Sequence, residues 1–315
     1  YEDAMKDYAE IEQALDNIIG TGSRYFNTLN FERTGLDFIE NKNGTATKYG
    51  KKGNWVLSKL PPLSSAKLKK QRHDTNWISI LGSVVETPYY TIIFGVDGSI
   101  EYLYDKELSR KWVSGEFNKL KLFVDCPGNY DAWDILPNYR EKEATLHVEG
   151  PLDVVEIDGE SATFRVLLST DNSKWEMLIR LFRQSRGIEV ENNVIWNEKH
   201  KLAKVEFQCN ILSRKVLCDT SAGFIERETH RNTTWQQARF EVCHHKWCDM
   251  SETGGGIAII NDGKYGVGFS ENLISLSLLR ATERPDVTSD IGKHSFSDMI
   301  MPHEKDAVTA GINKL

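Results

Sequence analysis

From Pro88 onward the chain is built from short runs in which apolar side chains recur at every second position, separated by tight-turn dipeptides. Tyr89 to Val96 and Ser99 to Tyr104 flank Asp97-Gly98, and Val154 to Ile157 and Ala162 to Leu168 flank Asp158-Gly159. Asp-Gly supplies the positive φ that a two-residue hairpin requires. Trp175, Met177, Ile179 and Leu181 alternate, Arg186-Gly187 turns the chain, and Ile188, Val190, Val194 and Trp196 follow. Ala203, Val205, Phe207, Cys209 and Ile211 alternate again. Ile257 to Ile260 and Leu273 to Leu279, with Asn261-Asp-Gly263 between them, predict a further strand pair. A period of two puts one face of each strand on a core. Many such strands, short turns and few helices predict a mainly β chain folded as a large antiparallel sandwich. No repeat of fixed period is present.

The first residues read differently. In residues 1 to 19, Met5, Tyr8, Ile11, Leu15, Ile18 and Ile19 fall at spacings of three and four, which predicts an amphipathic helix stopped by Gly20 and Gly22. One helix cannot bury such a stripe alone, so it needs the sandwich or a further helix against it. Residues 23 to 92 hold short β segments: Tyr25-Phe26, Phe38-Ile39, Trp55 to Leu57 and Trp77 to Ile80. Turn signals at Asn41 to Gly44, Tyr49 to Gly53 and Pro61-Pro62 separate them. The Lys67, Lys69, Lys70 and Arg72 cluster reads as a solvated loop. The expected division is a helix over 1–22, a small separate β unit over 23–87 and the sandwich over 88–315.

At 315 residues and 40% hydrophobic content the chain can bury a sizeable core. A net charge of −7 argues against nucleic acid or a membrane surface as partner. No apolar run approaches the roughly 20 residues that span a bilayer, and no signal-peptide pattern is read within these residues, which says little about a longer parent. The chain opens on Tyr1, inside what reads as a helix already under way, which suggests a piece of a longer protein. The odd set of five cysteines (126, 209, 218, 243, 248) fits reduced thiols in the cytoplasm. Asn43-Gly-Thr45 and Asn232-Thr-Thr234 match the glycosylation triplet, which is common by chance.

Two stretches carry candidate chemistry. The first, Gly223 to Gly266, is the densest run of polar, aromatic and imidazole side chains, with His230, His244, His245, Trp235 and Trp247. Arg239 to Cys248 predicts a strand, with Phe240, Val242, His244, Lys246 and Cys248 on one face and Arg239, Glu241, Cys243, His245 and Trp247 on the other. Such mixed faces suit an interface or the rim of a site. Cys243-His-His-Lys-Trp-Cys248 has zinc-ligand residue types, but alternation sends Cys243 and His245 away from His244 and Cys248, so no metal site is expected in this chain. The second stretch is Phe117 to Tyr139. Asn129-Tyr-Asp-Ala-Trp-Asp134 lies between a strand and a Pro-containing loop, exposed at a sandwich edge. Aromatic rings beside carboxylates suit sugars, since a ring covers an apolar C–H face and carboxylates accept from hydroxyls. The plainer alternative is a loop anchored into its own domain by Trp133.

THRNTTWQQARFEVCHHKWCDMSE, INDGKYG, LSLLRATERPDVTSDIGKH and PHE, in this order, resemble the C-terminal β region of glycoside hydrolase family 38, the class II α-mannosidases, in their vacuolar/cytosolic and bacterial branch. The Asp-Ala-Trp-Asp run is also similar to that branch. The resemblance implies a galactose-mutarotase-like supersandwich preceded by the last helix of a helical bundle. It implies a zinc-dependent retaining hydrolysis of α-mannosidic bonds in glycans, with the zinc ligands and an Asp nucleophile in an N-terminal α/β domain outside this chain. It places Trp133 against substrate, with Asp131 and Asp134 at the site or holding its loop. Asp290, His294 and Arg280 are further candidates for polar contacts there. No catalytic residue is expected within these residues, so this piece alone should be inactive. Its partners would be α-mannoside glycans, the remaining domains of the same chain and, through the helix stripe, a second copy. Two rivals are a stand-alone carbohydrate-binding module, and an aldose-epimerase-like enzyme using His230, His244 or His294 as acid.

Overall fold

The computed structural model describes residues 2–19, 25–67 and 74–304. Gly20, Gly22 and most of the Lys67–Arg72 cluster lie outside the described residues. The structure is mainly β with antiparallel sheets and a helix at the N-terminus, as the alternation predicts.

The helix spans Glu2–Ile19. Its apolar stripe forms but is not covered: Met5, Tyr8, Ile11 and Leu15 are all exposed, Ile11 at 54%.

The core lies between two large sheets. One has six strands in the spatial order Glu143–Ala144, Val113–Val124, Lys201–Cys209, Leu273–Arg280, Gly266–Ser270 and Val242–Cys243. The other has ten. Its main path runs His147–Val148, Ser161–Ser169, Lys174–Phe182, Ile188–Trp196, Gly292–His303, Gly255–Asn261, Trp247–Glu252, Lys215–Thr220 and Gly223–Glu228. Asp153–Ile157 also pairs with Ser161–Ser169. Leu120, Val205 and Leu276 from the first sheet join Val166, Ile179 and Ile259 from the second in one buried cluster. Each inward Leu, Ile or Val contributes roughly 1.5–3 kcal/mol by leaving water.

The turn signals act as read. Gly98 has φ +80° in the hairpin between Tyr90–Phe94 and Ile100–Asp105. Asp158 accepts from the Glu160 and Ser161 amides at 2.8 Å each, closing the next hairpin. Ile257 to Ile260 and Leu273 to Leu279, expected to pair, lie instead in different sheets. Gly266–Ser270, short and glycine-rich, intervenes and takes the place beside Leu273–Arg280.

The small β unit is a sheet of its own, Arg33–Glu40 with Lys51–Leu60 and Ala46–Lys48, yet it is joined to the sandwich. Trp55 packs edge-on to Phe182 at 4.9 Å. Arg180, fully buried, pairs with Glu189 and Glu191 and donates to the Thr47 carbonyl at 2.7 Å. Lys48 reaches Glu189 at 2.6 Å. Residue 87 is also no gap in the sheet structure: Val84–Glu86 pairs with Tyr90–Phe94 in a five-stranded sheet that runs on to Arg110–Lys111.

The expected strand Arg239 to Cys248 does not exist as one element. Residues Thr234–Ala238 form a short helix whose N-cap, Thr233, exchanges reciprocal hydrogen bonds with Gln236. Arg239 ends that helix, and Val242–Cys243 is a two-residue edge strand of the six-stranded sheet. His244 to Lys246 then cross to the ten-stranded sheet, where Trp247–Glu252 begins. The crossing destroys the alternation: Cys243 is exposed, while His244, Trp247 and Cys248 are all buried.

Candidate functional site

Three loops meet at one end of the sandwich. They follow Val113–Val124, Ile188–Trp196 and Leu273–Arg280. The backbone ties them first: Asp125 N–H donates to His200 O at 2.9 Å, and His200 N–H to Ala281 O at 2.7 Å.

Arg280 ties the first and the third of them a second time. Its Nε donates to Asp125, a carboxylate that is 1% exposed, its Nη1 to Ala132 O at 3.3 Å, and its Nη2 to Asp134 O. Its own amide donates to Asp290 Oδ2 at 3.1 Å. Asp290 sits at φ +60°, and its carbonyl accepts from His294 Nε2 at 2.6 Å. Asp131 Oδ2 accepts from the Glu283 and Arg284 amides at 2.6 and 3.1 Å. Asp134 Oδ1 accepts from the next amide, Ile135, at 3.0 Å.

The structure therefore brings Asp131, Asp134, Arg280, Asp290 and His294 into one hydrogen-bonded assembly with the Trp133 loop. Asp131, Asp134 and Arg280 spend polar atoms on holding the loops. Trp133 is not an anchor: it stands on a turn closed by its own amide to Tyr130 O at 2.8 Å, and it is 73% exposed. Tyr130 beside it is equally exposed, so the carboxylate and guanidinium bonds below support an aromatic ledge above. A cleft of about 500 Å³ opens on the same assembly, lined in part by Arg280, Asp290, Ile135 and Lys264.

Sequence reading missed His200 and Glu283. His200 Nε2 donates to Glu283 Oε2 at 2.7 Å, and its Nδ1 lies 3.8 Å from Asp131. Lys199 reaches Glu283 at 3.1 Å. Lys199 first and then His200 hold the Glu283 carboxyl below the usual carboxylate range. Their signal was the tight Asn197 to His200 link between two strands, which forces His200 to φ +49°.

The imidazole-rich stretch is structural where it is buried. His244 Nδ1 donates to Tyr265 O at 3.1 Å, and its Nε2 accepts from Asn261 at 2.9 Å. Burial pushes its pKa down to about 4, so the ring is neutral. Cys248 lies in the core opposite Cys218. The crossing between sheets, rather than strand alternation, is what separates Cys243, His244 and Cys248. Among the described residues, no group of three or more His, Cys, Asp or Glu side chains could hold a metal ion, and no helix is long and apolar enough to cross a membrane.

Residues 85–288 match the family model for the C-terminal domain of glycosyl hydrolases family 38. The chain belongs to family 38. Its relatives include alpha-mannosidase 2C1 of Homo sapiens, 37% identical over 197 residues, which is 62% of this chain and 19% of that protein. Alpha-mannosidase G of Dictyostelium discoideum is 35% identical over 240 residues, 73% of this chain and 22% of that protein. The chain thus spans about a fifth of the length of these relatives. The solved structure of an alpha-mannosidase from Enterococcus faecalis superposes with a TM-score of 0.65 at 10% identity, over 92% of this chain and 37% of that one, which shows a shared fold. The loop assembly around Arg280 lies within the matched family 38 region, save for Asp290 and His294.

Proposed function

We propose that this family 38 domain is the C-terminal part of an α-mannosidase that cleaves α-mannosidic bonds in glycans, and that its Arg280-tied loops form one wall of the substrate cleft. The observation that carries this reading is Trp133, exposed beside Tyr130 on a turn fixed from beneath by Asp131, Asp125 and Arg280. An indole held rigidly in solvent suits the apolar C–H face of a pyranose. His294 and Asp290 would meet sugar hydroxyls. Asp131, Asp134 and Arg280 act as positioning residues. A zinc-dependent retaining reaction belongs to the same reading. No ligand set for zinc is available among the described residues, so no step is routed through a metal here. We place the metal and the nucleophile in the rest of the longer protein, and the exposed stripe of the Glu2–Ile19 helix against that remainder or a second copy. The five free thiols support a cytoplasmic setting.

Trp133→Ala in the full-length protein tests the reading with an aryl α-mannoside and a mannose-bearing glycan. KM should rise or kcat fall with the fold unchanged. Kinetics equal to wild type on both substrates would remove Trp133 from the site.

A further inference from the structure

A second cleft, of about 380 Å³, adjoins the one beside Arg280 through Val242 and lies where the edges of the two large sheets come together. Gly223–Glu228, the edge strand of the ten-stranded sheet, supplies Arg227, and the segment around the short helix Thr234–Ala238 supplies Arg231 and Arg239. Phe269 and Val242 come from the six-stranded sheet.

The arginines of this cleft differ from the others. Most described arginines lie within 4.0 Å of a carboxylate, as Arg180 does with Glu189 and Arg280 with Asp125. Among the described residues, Arg214, Arg227, Arg231, Arg239 and Arg284 do not, and three of these five line this one cleft. Lys215 is there too, with Glu226 and Glu228, and the Lys215–Glu226 ion pair removes one charge of each sign. Three guanidiniums then face a single remaining carboxylate, Glu228.

Two of the three guanidiniums are also held in place. Arg227 Nη2 donates to Cys243 O at 3.4 Å, and Arg231 Nη2 to Phe269 O at 3.3 Å. Each bond reaches across to the six-stranded sheet and uses one of five N–H donors. Gln236 Oε1 accepts from the Asn232 and Thr233 amides at 2.8 and 3.0 Å, which fixes the segment between Arg231 and Arg239. Like charges gathered this way repel unless a counter-ion joins them, and a planar fork of donors matches the oxygens of a phosphate.

We propose that Arg227, Arg231 and Arg239 form a binding site for a phosphate group, either free or carried as the monoester of a small hydroxylated molecule. Trp235, one residue before the cleft-lining Gln236, leaves its indole 76% exposed and is available to a carbon skeleton attached to such a phosphate.

The test is calorimetric titration of the full-length protein at low ionic strength with inorganic phosphate and, separately, with a hexose 6-phosphate. Saturable binding of either is expected, with a salt dependence that marks charge pairing. Arg231→Gln combined with Arg239→Gln should weaken it about tenfold or more, and Arg239→Lys alone by less, since the charge stays and the fork is lost. Arg165→Gln, an exposed ion-paired arginine elsewhere, should leave binding unchanged. Hexose phosphate binding tighter than phosphate, with the difference lost in Trp235→Ala, identifies a monoester ligand; equal affinities identify the free ion. Absence of binding by both, or binding that the double variant leaves intact, overturns the proposal. Circular dichroism of each variant separates loss of the site from loss of the fold.

Discussion

Arg180 and Arg280 do related work in opposite surroundings. Each gathers carboxylate and backbone acceptors from distant segments. Arg180 is wholly enclosed between the small three-stranded sheet and the ten-stranded sheet, with Trp55 over its guanidinium at 5.4 Å. Its partners Glu189 and Glu191 are as buried as it is. Arg280 is buried only on the Asp125 side, and its outer nitrogens bind loop carbonyls that hold the Trp133 ledge at the surface. An ion pair sealed on all sides joins two sheets; one sealed on a single side presents a loop.

The contrast can be broken by substitution. Arg180→Ala leaves Glu191 buried without its cation and Glu189 with Lys48 alone, and should cost about 3–5 kcal/mol; urea unfolding measures it, and a loss under 1 kcal/mol would mean that water already enters the junction. Arg280→Ala should cost less, about 2–3 kcal/mol, since only Asp125 is left buried and unpaired. Its sharper mark is hydrogen exchange, faster in residues 125–138 and 281–291 and unchanged in the strands between them.

Asp298 extends the comparison to a buried carboxyl without any cation bonded to it. Its Oδ1 has no partner among the described residues, and burial, helped by Asp262, pushes its pKa up to about 8. The native state therefore keeps this proton to about pH 8, whereas the unfolded chain gives it up near the ordinary aspartate value of 3.8. Stability from this group falls as pH rises between those two values. Asp298→Asn should flatten that slope and stabilise the protein at pH 8 by on the order of 2 kcal/mol. Equal pH 5 to pH 8 differences in variant and wild type would rule this out. Trp133→Ala closes the series: at its exposure the change in stability should stay within about 0.5 kcal/mol, whatever happens to turnover.

The sandwich was legible because both faces of its strands impose a period on the side chains. Trp175, Met177, Ile179 and Leu181 had to alternate, and all four lie in the core. The exposed loop around Trp133 was legible from the turn and proline residues that flank it. The crossing at His244 to Lys246 was not, because each half of Arg239 to Cys248 resembles a strand and only the placement of two sheets separates them. Nor could the sequence reveal that Arg280 joins two loops, since two of the three acceptors of its guanidinium are backbone carbonyls, which leave no trace in residue identity. His200 escaped for a related reason: its partners Glu283 and Asp131 are brought to it only by the folded loops.

The position of Gly292–His303 has a consequence in time. Among the described strands it is last along the chain, yet it lies inside the ten-stranded sheet, between Ile188–Trp196 and Gly255–Asn261. A ribosome making this protein must release that strand before the two halves of the sheet can join. Until then each half presents an open edge with free N–H and C=O groups, the template for pairing with another chain. Closure depends on contacts far apart in sequence, which makes it slow. Nascent chains should therefore be held longest by chaperones just before this strand emerges, and stalling synthesis short of residue 292 should yield aggregates rather than a smaller soluble domain.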